Sequence, residues 1–338
     1  MISIYGVEDG RLTSLEPAIA DPAQFVWVDL LSPSPEEEAA VERIVGLDVP
    51  TREEMQEIEL SSRLYMDGEA AFMTASILSH TDQDDAMISP VTFILAGQRL
   101  ITVRYEDPRF FGAFARRAQK TATGCTNADA VLAHLLEAVI ERLADILERA
   151  AHDIDAISRN IFQPAAKPAP AEPPQAKGKA RRKQPRTRDF QVILEDIGRK
   201  GELASNIRDS LVTLQRLFTF LAQLAAERKP GKDIQTRIKT LSRDAQALSD
   251  HVSFLSQKIT FLLDATLGMI NIEQNAIIKI FSVAAVVFLP PTLIASIYGM
   301  NFEHMPELEW PFGYPFAIGL MILSAVLPYL FFKRRGWL

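Results

Sequence analysis

Hydrophobic and polar positions change their spacing three times along this 338-residue chain. Near the start they form short apolar segments at 2–7, 25–31, 63–79 and 91–105, bounded by turn residues, a pattern that predicts strands. Two of these segments fold back on themselves, at Asp67-Gly68 and Gly97-Gln98. Ser34-Pro35-Glu36-Glu37 and Thr51-Arg52-Glu53-Glu54 each place a hydroxyl three residues before a glutamate, the spacing of a helix-opening capping box. From Asn127 to Phe162 and from Phe190 to Arg228 the apolar period becomes helical. The charged positions of the first of these stretches, Glu137, Glu141, Arg142, Asp145, Glu148 and Arg149, read as a solvated face.

From Asp233 to Tyr298 no proline interrupts a helical pattern before Pro290-Pro291, and about 66 helical residues would measure roughly 100 Å. One side of this stretch is apolar at four-three spacing, from Ile234 and Ile238 through Leu255 and Ile259 to Leu262. Another side is mainly polar and passes through Asp250, Phe254, Gln257, Phe261, Asp264, Gly268 and Asn271. It continues upward as Asn275, Ile278, Ser282, Ala285, Leu289, Thr292, Ser296 and Gly299, a heptad-like seam of small and polar residues. Such a seam suits a water-lined passage and also ordinary helix packing in lipid, and spacing alone leaves both open.

The last sixty residues hold the longest uncharged runs: nineteen residues over Ile280–Tyr298 and twenty-three over Trp310–Phe332. Each is long enough to cross a hydrocarbon core of about 30 Å, and neither has the polar face of a soluble core helix. The connection carries Glu303, Glu307 and Glu309 without Lys or Arg, whereas Lys333-Arg334-Arg335 follow the second run. The positive-inside rule therefore predicts an external loop and both termini in the cytoplasm, in keeping with a start that lacks a signal-peptide apolar core. Two helices cannot enclose an aqueous path, so a transport role requires several copies around an axis.

Composition narrows the classes. Thirty-six Lys+Arg against forty-three Asp+Glu give −7, which offers no excess positive charge for nucleic acid. A single cysteine, Cys125, excludes an internal disulfide or multi-cysteine zinc site. No glycine-rich phosphate loop and no Ser/His/Asp, paired-His or Cys/His constellation occurs, so an enzyme is not expected. The stretch Pro164–Arg188 has six prolines and eight Lys or Arg against one Glu, carries +7, and is expected to be a disordered basic linker. It is also a candidate for contact with anionic headgroups, although a plain linker is the simpler reading.

The first uncharged run ends in Tyr298-Gly299-Met300-Asn301, followed by Phe302-Glu303-His304-Met305-Pro306-Glu307-Leu308. With INIEQN at 270–275, KIFSVAAVVFLPPTLIASIYGMNF at 279–302 and the terminal YLFFKRRGWL, this resembles the CorA magnesium and cobalt transport family from Ile270 to Leu338. The resemblance implies an α+β cytoplasmic domain, with a mixed sheet and long helices, on a two-helix transmembrane C-terminus, assembled as a homopentameric funnel in the cell inner membrane. The implied domains are a cytoplasmic α/β domain at 1–125, a helical region and stalk at 126–272 and a two-span pore domain at 273–338.

By position, the resemblance makes Gly299, Met300 and Asn301 the selectivity filter. Asn275, Phe281, Leu289, Thr292 and Ser296 would line the pore beside the seam residue Ser282, with Asp264 at the cytoplasmic mouth. Some family members have Gly where Ser296 stands, which bears on the width of that constriction. Mg²⁺ is the implied cargo, with Co²⁺ and Ni²⁺ as lesser substrates and cytoplasmic Mg²⁺ as a regulator. Mg²⁺ dehydrates reluctantly, so a ring of neutral Asn301 amide oxygens would hold the hydrated ion by its waters. Leu289 and Phe281 could close the pore by dewetting.

Glu303 and Glu307 read either as an acidic funnel or as a plain external loop. His304 is a lone, weak candidate ligand. The regulatory ligands are not legible: Asp82, Asp84 and Asp85 read first as a polar turn. Two other functions fit the same chain, a zinc-transporting relative of the family and a membrane-tethered cation sensor that does not conduct.

Overall fold

The computed structural model describes residues 1–15, 25–80, 86–121, 124–162, 189–228, 231–300 and 310–336. The basic stretch Pro164–Arg188 and the aspartates at 82, 84 and 85 lie outside these residues, as do Asn301, Glu303, His304 and Glu307. The chain divides into two compact units, Met1–Leu263 and Asp264–Leu338.

The first unit opens with a seven-stranded sheet in the order β2-β1-β3-β7-β6-β5-β4. Its strands are β1 (Ile2–Glu8), β2 (Arg11–Leu15), β3 (Phe25–Leu31), β4 (Leu64–Asp67), β5 (Ala70–Ser79), β6 (Met87–Ala96) and β7 (Arg99–Arg104). The β3–β7 pair is parallel and the other neighbours are antiparallel. The two expected fold-backs form the β4–β5 and β6–β7 hairpins, with Gly68 and Gly97 in left-handed backbone that a side chain would strain. β2 was not expected from the apolar pattern: it has only one buried residue, Leu12, and the Asp9-Gly10 turn was its one sequence signal. β5 is buried at nine of its ten positions, so it reads as a continuous apolar run instead of an alternation.

Both capping boxes form. Ser34 and Glu37 close the start of α1 (Pro35–Val45), and Thr51 and Glu54 that of α2 (Arg52–Gln56). The short α3 (Leu60–Arg63) and the amphipathic α4 (Arg109–Lys120) complete the surround. α4 buries Phe110, Phe111 and Phe114 and leaves Arg109, Arg116, Arg117 and Lys120 outside.

Inside the sheet a polar network is fully enclosed. Arg104 Nη2 donates to Asp29 Oδ2 at 2.8 Å, with both side chains 7% exposed. Thr102 Oγ1 donates to Asp29 Oδ1 at 2.7 Å and itself accepts from Trp27 Nε1 at 3.0 Å. The Arg104 guanidinium lies 4.4 Å from the Phe111 ring centroid.

Three long helices follow: α5 (Ala128–Phe162), α6 (Phe190–Arg228) and α7 (Lys232–Tyr298), the last continuous for 67 residues. The expected apolar stripe of α7 is its packed side: Ile238, Leu241, Ala245, Val252, Leu255, Ile259 and Leu262 are buried, and Ile234 and Leu248 half-buried. Polar contacts set its neighbours. Arg237 Nη1 donates to Glu137 Oε2 of α5 at 2.6 Å, and Lys258 pairs with Asp155 of the same helix. Arg208 of α6 donates to Ser256 Oγ at 2.9 Å. Rising numbers on α5 meet rising numbers on α7, so these two helices run parallel, whereas α6 runs against both.

The second unit contains residues 264–298 of α7 and α8 (Gly313–Arg334). Both carry segments long and apolar enough to cross a membrane, and only 6% of each apolar window is buried. A core helix of a soluble protein would bury its apolar surface, so these are read as spans.

Candidate ion pathway

The spanning part of α7 has one covered side. Val283 is 5% exposed, and Ala284, Val287, Pro290, Pro291, Ile294 and Tyr298 are half-buried. At 3.6 residues per turn these positions share one face. Asn275, Ser282, Leu289, Thr292 and Ser296 project from the opposite face, and each is exposed. Phe281 lies at the margin of that face and is 71% exposed; Leu289, near its middle, is 65% exposed. Asp264, Gly268 and Asn271 of the same unit are also exposed, as are Asp250 and Gln257 in the first unit. A single chain thus leaves uncovered the whole seam picked out by spacing. The same fold covers the α7 faces that it uses for packing.

Local chemistry shapes this face. Pro290 and Pro291 lack amide hydrogens, so the carbonyls of Val286 and Val287 cannot receive the usual helical hydrogen bond. Thr292 Oγ1 donates to the Phe288 carbonyl at 2.8 Å. With its hydrogen committed to the helix, the hydroxyl offers only lone pairs outward, which suits the hydrogens of water around a cation. Gly299 closes the helix, donating to the Ala295 carbonyl at 3.0 Å. A Cβ there would stand 3.1 Å from that same oxygen, so glycine allows the close approach that ends the span. Met300 is 46% exposed at the tip.

Away from the span, charge pairs tie α7 to α5, and here the reading of Glu137 as part of a solvated face is corrected. Glu137 is half-buried between Arg237 and His134, whose Nδ1 lies 3.2 Å from Glu137 Oε2. Spacing within α5 alone groups Glu137 with the outward charges, because its partner Arg237 stands 100 residues away on another helix. Burial, and then the positive charge of Arg237, lower the His134 pKa; Glu137 opposes them. Burial would lower that of Arg104, but the hydrogen bonds and charges of Asp29 and Asp107 outweigh it and raise the value. The Lys258 ammonium holds the Asp155 carboxyl below the ordinary carboxylate range. Among the described residues no group of three or more His, Cys, Asp or Glu side chains converges as a metal site.

The family model described as CorA-like Mg2+ transporter protein matches residues 22–172 and 182–334. The chain belongs to the CorA-like family. The break in the match falls within the basic, proline-rich stretch. Two similar relatives are each named magnesium transport protein CorA, from Escherichia coli (strain K12) and Salmonella typhimurium (strain LT2). Each is 39% identical over 339 residues, covering 100% of both chains. Among solved structures, the complete CorA magnesium transporter from Methanocaldococcus jannaschii superposes with a TM-score of 0.75 at 18% identity, covering 100% of this chain and 99% of that one. At that identity the likeness speaks for the fold, and it agrees with the mixed sheet, long helices and two C-terminal spans described above.

Proposed function

We propose that this chain is one subunit of a homopentameric membrane channel that carries Mg²⁺ into the cell down the electrical gradient, with Co²⁺ and Ni²⁺ as lesser cargo. The observation that carries this reading is the exposed polar seam on α7, opposite its covered face, in a chain 39% identical throughout to a magnesium transport protein. Five seams facing one axis would wall a wet passage. Gly299, Met300 and Asn301 form its outer filter, where Asn301 binds the ion through hydration water. Asn275, Phe281, Ser282, Leu289, Thr292 and Ser296 line it, and Asp264 stands at the inner mouth. Glu303 and Glu307 concentrate cations outside.

In this reading residues 1–125 and 126–272 form the cytoplasmic sensing and stalk regions, and 273–338 the pore. Both termini lie in the cytoplasm, and the membrane is the cell's inner one. Cytoplasmic Mg²⁺ bound between carboxylate-bearing subunit surfaces favours the closed symmetric state, and its loss releases that state. A zinc-selective role and a non-conducting sensor predict different fluxes, zinc alone or none.

The test is ion uptake into vesicles containing the purified protein under an inward-negative potential. Wild type is expected to admit Mg²⁺, and Asn301→Ala to assemble and insert normally but lose uptake. Wild-type uptake by that variant, or zinc flux without Mg²⁺ flux, overturns the proposal.

A further inference from the structure

Ser76 on β5 is held from two sides. Arg63, at the end of α3, donates from Nη1 to Ser76 Oγ at 3.0 Å and from Nε to the Glu57 carbonyl. From the other side, Thr213 Oγ1 of α6 accepts from the Ser76 amide at 3.0 Å. Arg216 stands three residues beyond Thr213, a spacing that makes the two neighbours on the helix surface. Two guanidiniums thus meet beside Ser76 and Thr213, that of Arg63 half-buried and that of Arg216 exposed.

Their charges are not compensated. Among the described residues neither guanidinium has an ion-pair partner, and both Arg63 bonds go to neutral oxygens. Those bonds use two of its five N–H groups. Burial, and then the adjacent Arg216 charge, lower the Arg63 pKa. Elsewhere in the same unit the arginines that tie elements together each have a carboxylate: Arg104 has Asp29, Arg228 has Asp129 and Arg237 has Glu137.

An anion from outside the chain removes this repulsion, and the charge count selects its class. A carboxylate brings one negative charge to two positive ones. A phosphate group carries about −1.5 to −2 near pH 7 and several acceptor oxygens, which match two arginine forks. Because the whole chain carries −7, its net charge repels anions, and any affinity has to come from the local pair. We propose that Arg63 and Arg216 bind a phosphate group, as the free ion or on a small monoester, and that it bridges α3 to α6. The site lies within the first unit and does not depend on the pore assignment.

Equilibrium dialysis of the purified full-length protein in detergent against radiolabelled inorganic phosphate tests this without any transport readout. Saturable binding is expected, weakened on the order of tenfold in Arg216→Gln by the loss of one charge-assisted contact. Arg243→Gln, which neutralises an exposed position on α7, should leave it unchanged. Melting supplies a second readout whose sign depends on the ligand. Without phosphate, Arg216→Gln relieves the repulsion on Arg63 and should melt no lower than wild type; with phosphate, the wild-type midpoint should rise and that of the variant should stay. Displacement of the label by glycerol phosphate at lower concentration than by unlabelled phosphate assigns the monoester, and the reverse assigns the free ion. Absence of saturable binding, unchanged affinity in Arg216→Gln, an equal loss in Arg243→Gln, or equal stabilisation by acetate overturns the site.

Discussion

Single side chains decide several properties by whether their charge is matched. Arg104 is enclosed and satisfied by Asp29, Asp107 and the face of Phe111. Asp29→Ala would leave the buried guanidinium with Asp107 as its one remaining carboxylate partner, and a cost of up to about 3–5 kcal/mol is expected, read as a drop in thermal midpoint of the purified protein. Pairing it with Arg104→Met should recover most of the loss. His134 behaves oppositely, since its folded pKa is lowered. Both states hold it neutral well above the unfolded value near 6.5. As pH falls through that value the unfolded chain takes up a proton that the folded chain refuses, so stability declines with acidification. His134→Gln should flatten the melting temperature between about pH 7 and 5, and an unchanged slope would remove His134 as the cause. Neither effect was legible in the sequence. Asp29 and Arg104 are 75 residues apart, and their pairing depends on β3 lying parallel beside β7.

At the scale of elements, the sequence carried much more. The capping boxes, the two hairpins, the helical stretches and the packed apolar stripe of α7 follow from local rules of period and turn chemistry, and the structure reproduces them. β2 and α4 escaped for physical reasons. One is a short edge strand with a single buried residue, and the other follows a proline and is dominated by arginines outside and phenylalanines inside. The candidate pore face was legible because it is a one-dimensional pattern on one helix. The α5–α7 charge pairs were not, because they need three-dimensional packing.

The pore face also yields element-scale predictions. Thr292→Val keeps the shape but removes the outward lone pairs. Loss of one hydrogen-bonding contact to hydration water, about 1 kcal/mol, should slow Mg²⁺ uptake roughly fivefold. Leu289→Asn should hydrate the apolar constriction and raise uptake when Mg²⁺ is abundant inside, measurable in loaded vesicles. Unchanged flux in both variants would place this face away from the ion.

For the whole molecule, α7 carries the candidate pore seam on one face and, within the first unit, is tied to α5 by the Arg237–Glu137 and Lys258–Asp155 ion pairs. No energy-coupling chemistry is required, because an inward-negative potential favours a divalent cation by about 4.6 kcal/mol per 100 mV. Collapsing the potential with an ionophore should therefore reduce uptake steeply, which fluorescence of an entrapped Mg²⁺ indicator can follow. The central claim, that identical α7 seams surround water, is tested most directly by cysteine accessibility during transport. Cysteines placed singly at Ser282, Leu289 and Ser296 should react with a small water-soluble thiol reagent and block Mg²⁺ flux, while those at Val283, Val287 and Ile294 should not. Reaction and block at the second set with none at the first would contradict it.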